Sequence, residues 1–392
     1  MRNTYILGVG MHPFGRFPDK GLKQLTYQAV WEAIEDARIE AKKIEVVYFA
    51  NSFAGALSGQ HSCRGQVYLR YAGFSEIPVI NIENACASAA TAFQQACLSV
   101  ASGQVEVALA VGVEKMFVGD NAKTIAALGS ATDVEVMGGS GVQFTALYAL
   151  KAKEYMEKYG ATPFHFAKVA EKNSFHASLN PYAQFRKRLT VEQVLTSKMI
   201  ADPLTLLMCS PIADGAAAVI VASEKVWRTL HSRMGVQVKG FTLRSGQITQ
   251  SNEETLSTVT KAANTVYEKT GIDPADLNVI ELHDAAVSVE FDHVEDLGLI
   301  ERGTAFREVE KGTFSLTGKI PINTSGGLTS KGHPVGATGI AQIIEITKQL
   351  RGEAEYRQVQ RGGEIPKTGL CLNTGGRIED DRAAVAITIL AR

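Results

Sequence analysis

Residues 28–51 read QAVWEAIEDARIEAKKIEVVYFAN, and residues 261–284 read KAANTVYEKTGIDPADLNVIELHD. The two stretches align without a gap, which places Ala29 over Ala262 and Val46 over Val279. Each copy has the pattern of an amphipathic helix, a short turn and an apolar strand. Self-similarity of this kind predicts a chain built from two copies of one α/β unit.

A second pair of segments extends the repeat. CASAATAF, residues 86–93, aligns with HPVGATGI, residues 333–340, so that the two Ala-Thr pairs coincide. On this alignment, Cys86 and His333 occupy the same position of a repeated junction between a loop and a helix. Chance similarity between amphipathic segments is the alternative, but two matches in the same order favour duplication.

The rest of the chain alternates strand and helix patterns. Strand-like apolar runs include TYILGVGM, VEVALAVG, AAAVIVAS and AAVAITIL, and nearly continuous apolar runs are typical of strands covered on both faces. We therefore predict the α/β class, with an N-terminal half at residues 1–118 and 211–235 and a C-terminal half at residues 236–392. Residues 119–210, which contain helical patterns and the polar stretch NPYAQFRKRLTVEQV, are predicted to form an inserted loop domain.

Composition narrows the class of function. Of the 392 residues, 45% are hydrophobic, and 40 basic residues nearly balance 41 acidic ones. This balance argues against a nucleic-acid surface or a polybasic membrane patch. The five cysteines are scattered, without CxxC or Cys/His metal spacing, and no apolar window reaches the ~18 residues of a membrane span. We expect a soluble cytoplasmic protein with no metal, no permanently bound cofactor and no nucleic-acid or membrane partner.

Cys86 has the surroundings of a nucleophile. Its small neighbours, Ala85, Ala87 and Ser88, would let a ligand approach closely, and a predicted helix begins just after it. The N–H groups and the dipole of a helix N-terminus favour a thiolate. The alternative is a cysteine that fills a gap in the core, which is the role we expect for Cys97 in the same helix.

Three further loops carry residues with acid–base chemistry. NTSGGLTSKGHPVGATG contains His333, which could take the proton of a neighbouring thiol. ELHDAAVSVE places His283 at the end of a predicted strand, where it could donate to a carbonyl oxygen or hold a water, and GLCLNTGG places Cys371 and Asn373 at another strand end. Loops after strand ends commonly build sites in α/β proteins. The alternatives are structural roles. His333 would belong to a turn, His283 would be hydrogen-bonded to the neighbouring carboxylate of Asp284, and Cys371 would be packed at a strand end.

In these loops the sequence resembles the thiolases, and in particular the sterol-carrier-protein type, whose loops include HDCF and GHP. The likeness runs nearly end to end, through the motifs ILGVGMHPFGRF, GVEKM, NPYAQF, CSPIADGAAA, GGLTSKGHPVGATG and QLRGEA. The resemblance implies the thiolase fold, with two similar halves stacked in five α-β-α-β-α layers, paired central helices and a loop domain that helps to bind coenzyme A. It also implies a homodimer or a homotetramer.

The resemblance further implies a reaction. In a 3-oxoacyl-CoA thiolase, or acetyl-CoA C-acyltransferase, Cys86 would attack the 3-oxo carbon after His333 removes the thiol proton. Acetyl-CoA would leave, and a second CoA, as co-substrate, would take the acyl group from sulfur. His333 and a water or imidazole at His283 would hold the enolate oxygen, while backbone N–H groups of Cys86 and of the loop at Gly375 and Gly376 would hold the tetrahedral intermediate.

One position departs from the family pattern. The sterol-carrier-protein type has cysteine after His-Asp, whereas this chain has Ala285. Many other thiolases carry their second thiol in a C-terminal CxG loop, and we therefore predict that Cys371 moves the α-proton. Asn373 could instead match the asparagine of the HN pair found in the sterol-carrier-protein type.

Partners and competing functions follow from the same resemblance. Arg186 and Arg188 are candidates for binding the CoA phosphates, against the alternative of a solvated charged face. Some thiolase-fold proteins are retro-aldol lyases on steroid side-chain CoA thioesters, and others are acetoacetyl-CoA thiolases or scaffolds that depend on a small OB-fold or zinc-ribbon protein. The pairing of Cys86 with His333 favours the acyl-transferring thiolase, because a lyase needs no acyl-cysteine. These motifs set neither the acyl chain length nor the physiological direction.

Overall fold

The computed structural model describes residues 2–230, 235–248 and 256–392. The segment 231–234, which was assigned from sequence to the N-terminal half, lies outside the described residues.

The described residues contain eleven strands. They are β1 (Thr4–Gly15), β2 (Val46–Ala50), β3 (Val79–Ile82), β4 (Val107–Glu114), β5 (Met199–Ala201), β6 (Leu204–Thr205), β7 (Asp214–Ser223), β8 (Val236–Ser245), β9 (Val279–Glu281), β10 (Thr368–Ile378) and β11 (Asp381–Ala391). Nine of them form one continuous sheet in the order β3, β2, β4, β7, β1, β8, β11, β10, β9, and β5 pairs with β6 separately.

The sheet consists of two halves that share a short edge. In the first half β2 runs parallel to β4, and β7 and β1 follow antiparallel; in the second, β9 runs parallel to β10, and β11 and β8 follow antiparallel. The halves meet where β1 pairs with β8 through Tyr5 with Gln237 and Ile6 with Val236. Each half therefore repeats the same mixed topology, which confirms the predicted α/β class and duplicated fold.

The described α-helices are α1 (Leu22–Ala37), α2 (Ala54–Ser58), α3 (Arg64–Tyr71), α4 (Ser88–Ala101), α5 (Asn121–Gly129), α6 (Val134–Met137), α7 (Phe144–Tyr159), α8 (Pro163–Ser178), α9 (Val191–Leu195), α10 (Glu224–Thr229), α11 (Thr258–Thr270), α12 (Ser288–Asp296), α13 (Ala305–Glu310) and α14 (Thr338–Arg351). Helices α4 and α14 pack between the two half-sheets in one apolar cluster. Helices α1 and α3 cover the outer face of the first half, and α11 and α12 cover that of the second. The result is the predicted succession of five layers.

The helix–turn–strand repeat holds in three dimensions at the predicted register. Helix α1 corresponds to α11, and β2 and β9 begin at Val46 and Val279, the two residues that the sequence alignment superposes. Even the short 3₁₀ turns between helix and strand, Ala41–Lys43 and Pro274–Asp276, correspond residue for residue at this register.

The second part of the repeat follows a different register from the one predicted. Helices α4 and α14 both contain 14 residues, and they begin at Ser88 and Thr338. The sequence alignment had instead placed Ser88 over Val335. Once the helix starts are superposed, Cys86 corresponds to Gly336, and the prediction that Cys86 and His333 occupy one position of the repeat is wrong. The Ala-Thr pairs that guided the alignment lie at different distances from their helix starts.

Residues 119–210 carry α5 to α9 and the hairpin of β5 and β6. Their core joins that of the second half, because Phe166 of α8 packs in the same cluster as Phe291 of α12, with ring centroids 5.2 Å apart. The domain boundaries derived from sequence stay a prediction. Over the described ranges, every helix is too short or too polar to cross a bilayer.

Candidate active site

Cys86 lies between β3 and α4, in a turn that is held by hydrogen bonds. The turn is a 3₁₀ helix, Ala85–Ala87, and Ala85 has a φ of 46°, a left-handed conformation that is uncommon for a residue other than glycine. The Ser52 and Ser88 hydroxyls both donate to the Ala85 carbonyl, at 2.8 and 2.6 Å. These bonds hold the strained turn and present the half-buried cysteine in front of the helix.

Two histidines face this cysteine. The Cys86 sulfur and one ring nitrogen each of His283 and His333 all lie within 4.8 Å of one another. The two rings are nearly perpendicular, at an interplanar angle of 84° with 5.1 Å between centroids. Both histidines are buried. The three residues that the sequence singled out on separate loops are thus brought together.

Hydrogen bonding sets the tautomer of His333. Its Nδ1 lies 2.7 Å from the Thr338 hydroxyl oxygen, and that hydroxyl is 3.0 Å from the Pro334 carbonyl. Since the hydroxyl donates to the carbonyl, its oxygen accepts from Nδ1–H. The Nε2 of His333 is then left with a free lone pair, which is the form that accepts a proton from a thiol.

His283 has the complementary tautomer. The Asn373 side-chain amide nitrogen lies 3.0 Å from Nδ1 of His283 and donates to it. Nδ1 is therefore the acceptor, and the proton of the neutral ring is on Nε2. One imidazole of the pair can accept a proton, and the other can donate a hydrogen bond.

The resting site is uncharged. Burial raises the pKa of the Cys86 thiol to about 12, although the backbone N–H groups of Gly376 and of Cys86 itself partly oppose the shift. Burial also lowers the pKa of His333 to about 3, with a contribution from Lys331, and the pKa of His283 well below its ordinary value. The sequence predicted a thiolate at this helix N-terminus, and the structure corrects this. Loss of water around the sulfur disfavours the charged form more than the N–H groups favour it.

The Gly375–Gly376 pair of β10 covers the nucleophile turn. A side chain at Gly375 would lie 2.5 Å from the Asn84 carbonyl oxygen, so only glycine allows this approach. Gly376 has a φ of +59° and directs its N–H at the Cys86 sulfur. The Cys86 and Gly376 N–H groups consequently converge on the atom that would carry an acyl group.

Cys371 is not part of this cluster. Its strand position is opposite Glu281, two residues before His283, and its side chain packs in the apolar cluster around α4 and α14. Burial raises the pKa of its thiol, and Glu281, Lys331 and Glu345 are the charges that act on it. Asn373, two residues along β10, takes the place beside His283, as in the HN alternative. The structure therefore does not bring Cys371 together with Cys86 and the two histidines; that its thiol moves the α-proton stays a prediction.

Two buried carboxyl groups that were not singled out from sequence hold the site's loops. The first, Glu114, accepts from the backbone N–H groups of Ser52, Phe53 and Gly336 at 2.9, 3.1 and 3.0 Å, and burial raises its pKa to about 7. It thereby ties the start of α14 to the end of β2. Glu114 is the glutamate of the GVEKM motif, but nothing in that motif indicated that its side chain is buried.

Asp284 plays the same part on the other side. It accepts from the Leu328 N–H and from the Asn173 side-chain amide, both at 2.8 Å. Burial raises its pKa to about 7. Asp284 thus connects the loop before His333 to α8 of the insertion, so it is not the partner of His283 considered from sequence.

Arg186 and Arg188 are both exposed. The Arg188 guanidinium lies 4.3 Å from the centroid of the Phe175 ring, and its Nε is 3.4 Å from the Ser178 hydroxyl. Binding of CoA phosphates by these arginines stays a prediction.

The sulfur and two imidazoles are also a set that zinc binds, because Cys and His are its preferred ligands. Binding would require loss of the thiol proton and would occupy the sulfur lone pairs. A zinc ion at these three atoms would therefore block a nucleophile rather than assist it.

Known proteins place this geometry in context. Residues 4–225 match the family described as thiolase, N-terminal domain, and residues 240–388 match the thiolase C-terminal domain-like family. The chain is 39% identical over 379 residues to an acetyl-CoA acetyltransferase of Methanothermobacter thermautotrophicus, with 96% of this chain and 98% of that protein covered. It is 34% identical over 379 residues to the benzoylsuccinyl-CoA thiolase subunit BbsB of Thauera aromatica, with 96% and 95% covered.

Among solved structures, the chain is similar to the Ltp2-ChsH2(DUF35) aldolase, with a TM-score of 0.79 and 23% sequence identity over 99% of this chain and 97% of that one. At this identity, the likeness concerns the fold alone.

Proposed function

Since the chain belongs to the thiolase family and is an acyltransferase that uses CoA as co-substrate, we propose that Cys86 carries the acyl group and that His333 is the only proton carrier the reaction needs. The observation that carries this proposal is the contact of one thiol with two imidazoles of opposite tautomer. The substrates are 3-oxoacyl-CoA and CoA, and the products are acetyl-CoA and a shortened acyl-CoA.

In the first half-reaction, the neutral thiol gives its proton to Nε2 of His333 as the sulfur attacks the 3-oxo carbon. The bond between the α-carbon and the 3-oxo carbon then breaks, and its electron pair forms the enolate of acetyl-CoA. The imidazolium of His333 returns the same proton to the α-carbon. Protons balance without a second thiol, which fits a site where position 285 is alanine and Cys371 lies elsewhere.

In the second half-reaction, His333 takes the proton of the CoA thiol, and the CoA sulfur attacks the acyl-cysteine. The Cys86 sulfur leaves and recovers the proton. Nε2–H of His283 stabilises the enolate oxygen, and the N–H groups of Cys86 and Gly376 stabilise the tetrahedral oxyanion. Donors fixed in advance cost no reorganisation when the charge develops, so each lowers the barrier by about 2.7–4 kcal/mol.

In the decisive test, the wild type and variants in which one cysteine is replaced are mixed with 3-oxoacyl-CoA, and acylation is measured by intact-protein mass spectrometry. We expect an acyl adduct on the wild type and on Cys371→Ala, and none on Cys86→Ala. Thiolysis by Cys371→Ala should stay within about threefold of wild type, as should that of the matched buried variant Cys97→Ala. A loss of turnover on Cys371→Ala alone would restore the second thiol to the mechanism.

The same experiment separates the retro-aldol alternative, because a lyase forms no acyl-cysteine. An enzyme that cleaves its substrate while Cys86 stays unmodified is not the thiolase proposed here.

We further propose a cytoplasmic homodimer, with a homotetramer as its doubled form. Support comes from β3, which is an edge strand of the sheet that the described residues form, with Ile80 40% exposed; such edges are covered in stable proteins. A small OB-fold protein is a proposed additional partner, by analogy with the DUF35 component of the similar aldolase. Light scattering of wild type and Ile80→Lys tests the dimer: the variant should shift towards monomer.

A further inference from the structure

Next to the cysteine and histidines, three side-chain donors have no hydrogen-bond acceptor within the described part of the chain. They are Tyr148 of α7, His293 of α12 and Arg382 at the start of β11. His293 is 1% exposed, and neither of its ring nitrogens has a hydrogen-bond partner among the described residues. Most buried polar groups in folded proteins are hydrogen-bonded, so an unpartnered buried imidazole calls for an explanation.

Arg382 is the common neighbour of the other two donors and of His283, because its charge acts on all three. Helices α7 and α12 pack together through the Tyr155 hydroxyl, which donates to Glu295 at 2.5 Å. The Arg382 guanidinium carbon lies 5.9 Å from the centroid of the Tyr148 ring. Burial lowers the pKa of His283, and His333, His293 and Arg382 add to this shift because they oppose a positive charge on its ring. The cluster thus continues the site away from Cys86 and towards the insertion.

At neutral pH each member is a donor. Burial raises the pKa of Tyr148 to about 12, so the phenol keeps its proton. Burial lowers the pKa of His293 well below its ordinary value, so the neutral ring retains one N–H. The Arg382 guanidinium is always charged. The three together offer donors and one positive charge, and what they lack is an anionic acceptor.

The carboxyl group of Asp292, on which Arg382 acts, does not fill that place. Burial and the neighbouring Asp296 raise the pKa of Asp292 to about 7. Within the residues that the structure describes, Asp292 makes no ion pair with Arg382. A half-protonated acid beyond ion-pair distance leaves the guanidinium fork free for another carboxylate.

We propose that Tyr148, His293 and Arg382 bind a carboxylate at the far end of the acyl group, so that the preferred substrates are 3-oxoacyl-CoA thioesters of dicarboxylic acids. This inference rests on the proposed thiolase function. A guanidinium binds a carboxylate through two parallel N–H bonds, and a phenol O–H and an imidazole N–H can donate further hydrogen bonds to the same carboxylate. Such a substrate is fixed at both ends, by Cys86 and by Arg382.

Binding to the unreactive Cys86→Ala variant tests the proposal without requiring catalysis. Calorimetry would compare acyl-CoA pairs of equal length with and without a terminal carboxylate: succinyl-CoA with butyryl-CoA, and adipyl-CoA with hexanoyl-CoA. We expect the acid of at least one pair to bind about tenfold or more tightly, a typical effect of a close charge pair. Adding Arg382→Gln or Tyr148→Phe should reduce that ratio and leave the affinity for the neutral member within about twofold.

Arg244→Gln is the matched control. It removes the same charge from the neighbouring strand β8, at an exposed position, and should leave the ratio unchanged. Equal affinities within every pair, or an equal loss for acid and neutral ligand in Arg382→Gln, would overturn the proposal. Failure of the wild type to form an acyl-cysteine would instead contradict the thiolase mechanism, while the affinity ratio would still decide the substrate class.

Discussion

The protonation state of Cys86 separates this nucleophile from an activated thiolate. Its folded pKa of about 12 means that the thiol is neutral in the resting enzyme at pH 7. A neutral thiol is protected from oxidation and becomes nucleophilic only as His333 accepts its proton. Attack and proton transfer must then be coupled to substrate binding.

Alkylation measures this state directly. Reaction of Cys86 with iodoacetamide should accelerate about tenfold per pH unit up to at least pH 10, because the rate follows the thiolate fraction. Exposed Cys63, quantified in the same digest by mass spectrometry, is the internal control for the reagent. A rate for Cys86 that is already constant between pH 6 and 8 would show that the thiolate predicted from sequence exists after all.

Thr338 positions His333 through a hydrogen bond. Its hydroxyl fixes Nδ1–H at 2.7 Å and thereby keeps Nε2 free for the proton. Thr338→Val preserves the shape but removes the acceptor, and we expect kcat to fall about 10- to 100-fold, in line with a hydrogen bond to an ionised group of about 1.5–3 kcal/mol.

The readout is the rate of Cys86 acylation together with the acidic limb of its pH profile, which should move to lower pH when the imidazolium loses an acceptor. Thr338→Ser should restore both to near the wild-type values. A Val variant with an unchanged profile would assign Thr338 to packing alone.

At the residue scale, sequence identified the chemistry better than the positions. Cys86, His283, His333 and Asn373 were all found from small-residue turns, strand ends and family motifs. Cys371 lies outside the cluster because two residues along β10 span about 7 Å, and the pairing of Cys371 with Glu281 sets that register. The strain at Ala85 and the buried acids have no pattern in the sequence.

One glycine determines how closely helices α4 and α14 approach each other. A side chain at Gly339 would lie 2.5 Å from the Ala90 backbone nitrogen, so the two central helices approach too closely for any β-carbon. Gly339→Ala should lower the free energy of unfolding by about 1–3 kcal/mol or more, as overpacking does, and should displace the turn that carries Cys86.

Chemical denaturation with acylation as a second readout tests this. Gly129→Ala, at the last residue of α5 with no atom within 4 Å of the added carbon, is the matched control. We expect it to be neutral or slightly stabilising, because alanine is the better helix former. Equal effects of both substitutions would contradict a tight crossing.

At the element scale, sequence patterns predicted β1, β2, β4, β7, β9 and β11 and a strand ending near Cys371, but missed β3, β5, β6 and β8. The strand at Cys371 continues through two glycines to Ile378, and the missed strands are short or alternate with polar residues. Their pairing comes from neighbouring strands that are distant in sequence, which no local pattern encodes.

The two halves of the molecule are locked by side chains that cross the central layer. Arg351 of α14 donates to the Ile6 and Leu7 carbonyls of β1 at 3.2 and 3.0 Å and binds Asp36 at 2.8 Å. In the other direction, the Gln94 amide of α4 donates to the Thr242 carbonyl of β8 at 3.1 Å. Each half supplies buried partners for the other, so neither is expected to unfold alone.

Removal of the Arg351 charge measures this coupling. Arg351→Met should lower the free energy of unfolding by about 3–5 kcal/mol, the cost of breaking a buried charged pair. Fluorescence of Trp31 and Trp227, both in the first half, should change together with far-ultraviolet circular dichroism of the whole chain. Arg244→Met, which removes an exposed arginine, should leave the midpoint unchanged; separate transitions for the two probes would contradict a single cooperative unit.

The antiparallel edge between β1 and β8 has a consequence for ancestry. Two copies of one unit joined in this way are related as the subunits of a twofold dimer, and such a dimer would have possessed two equal sites. In the surviving chain the position that corresponds to Cys86 is Gly336, the one that corresponds to His333 is Glu83, and the one that corresponds to His283 is Ala50. Only one of the two related positions therefore holds a nucleophile and two imidazoles, while at the other the Gly336 N–H binds Glu114 and supports the loops of the first.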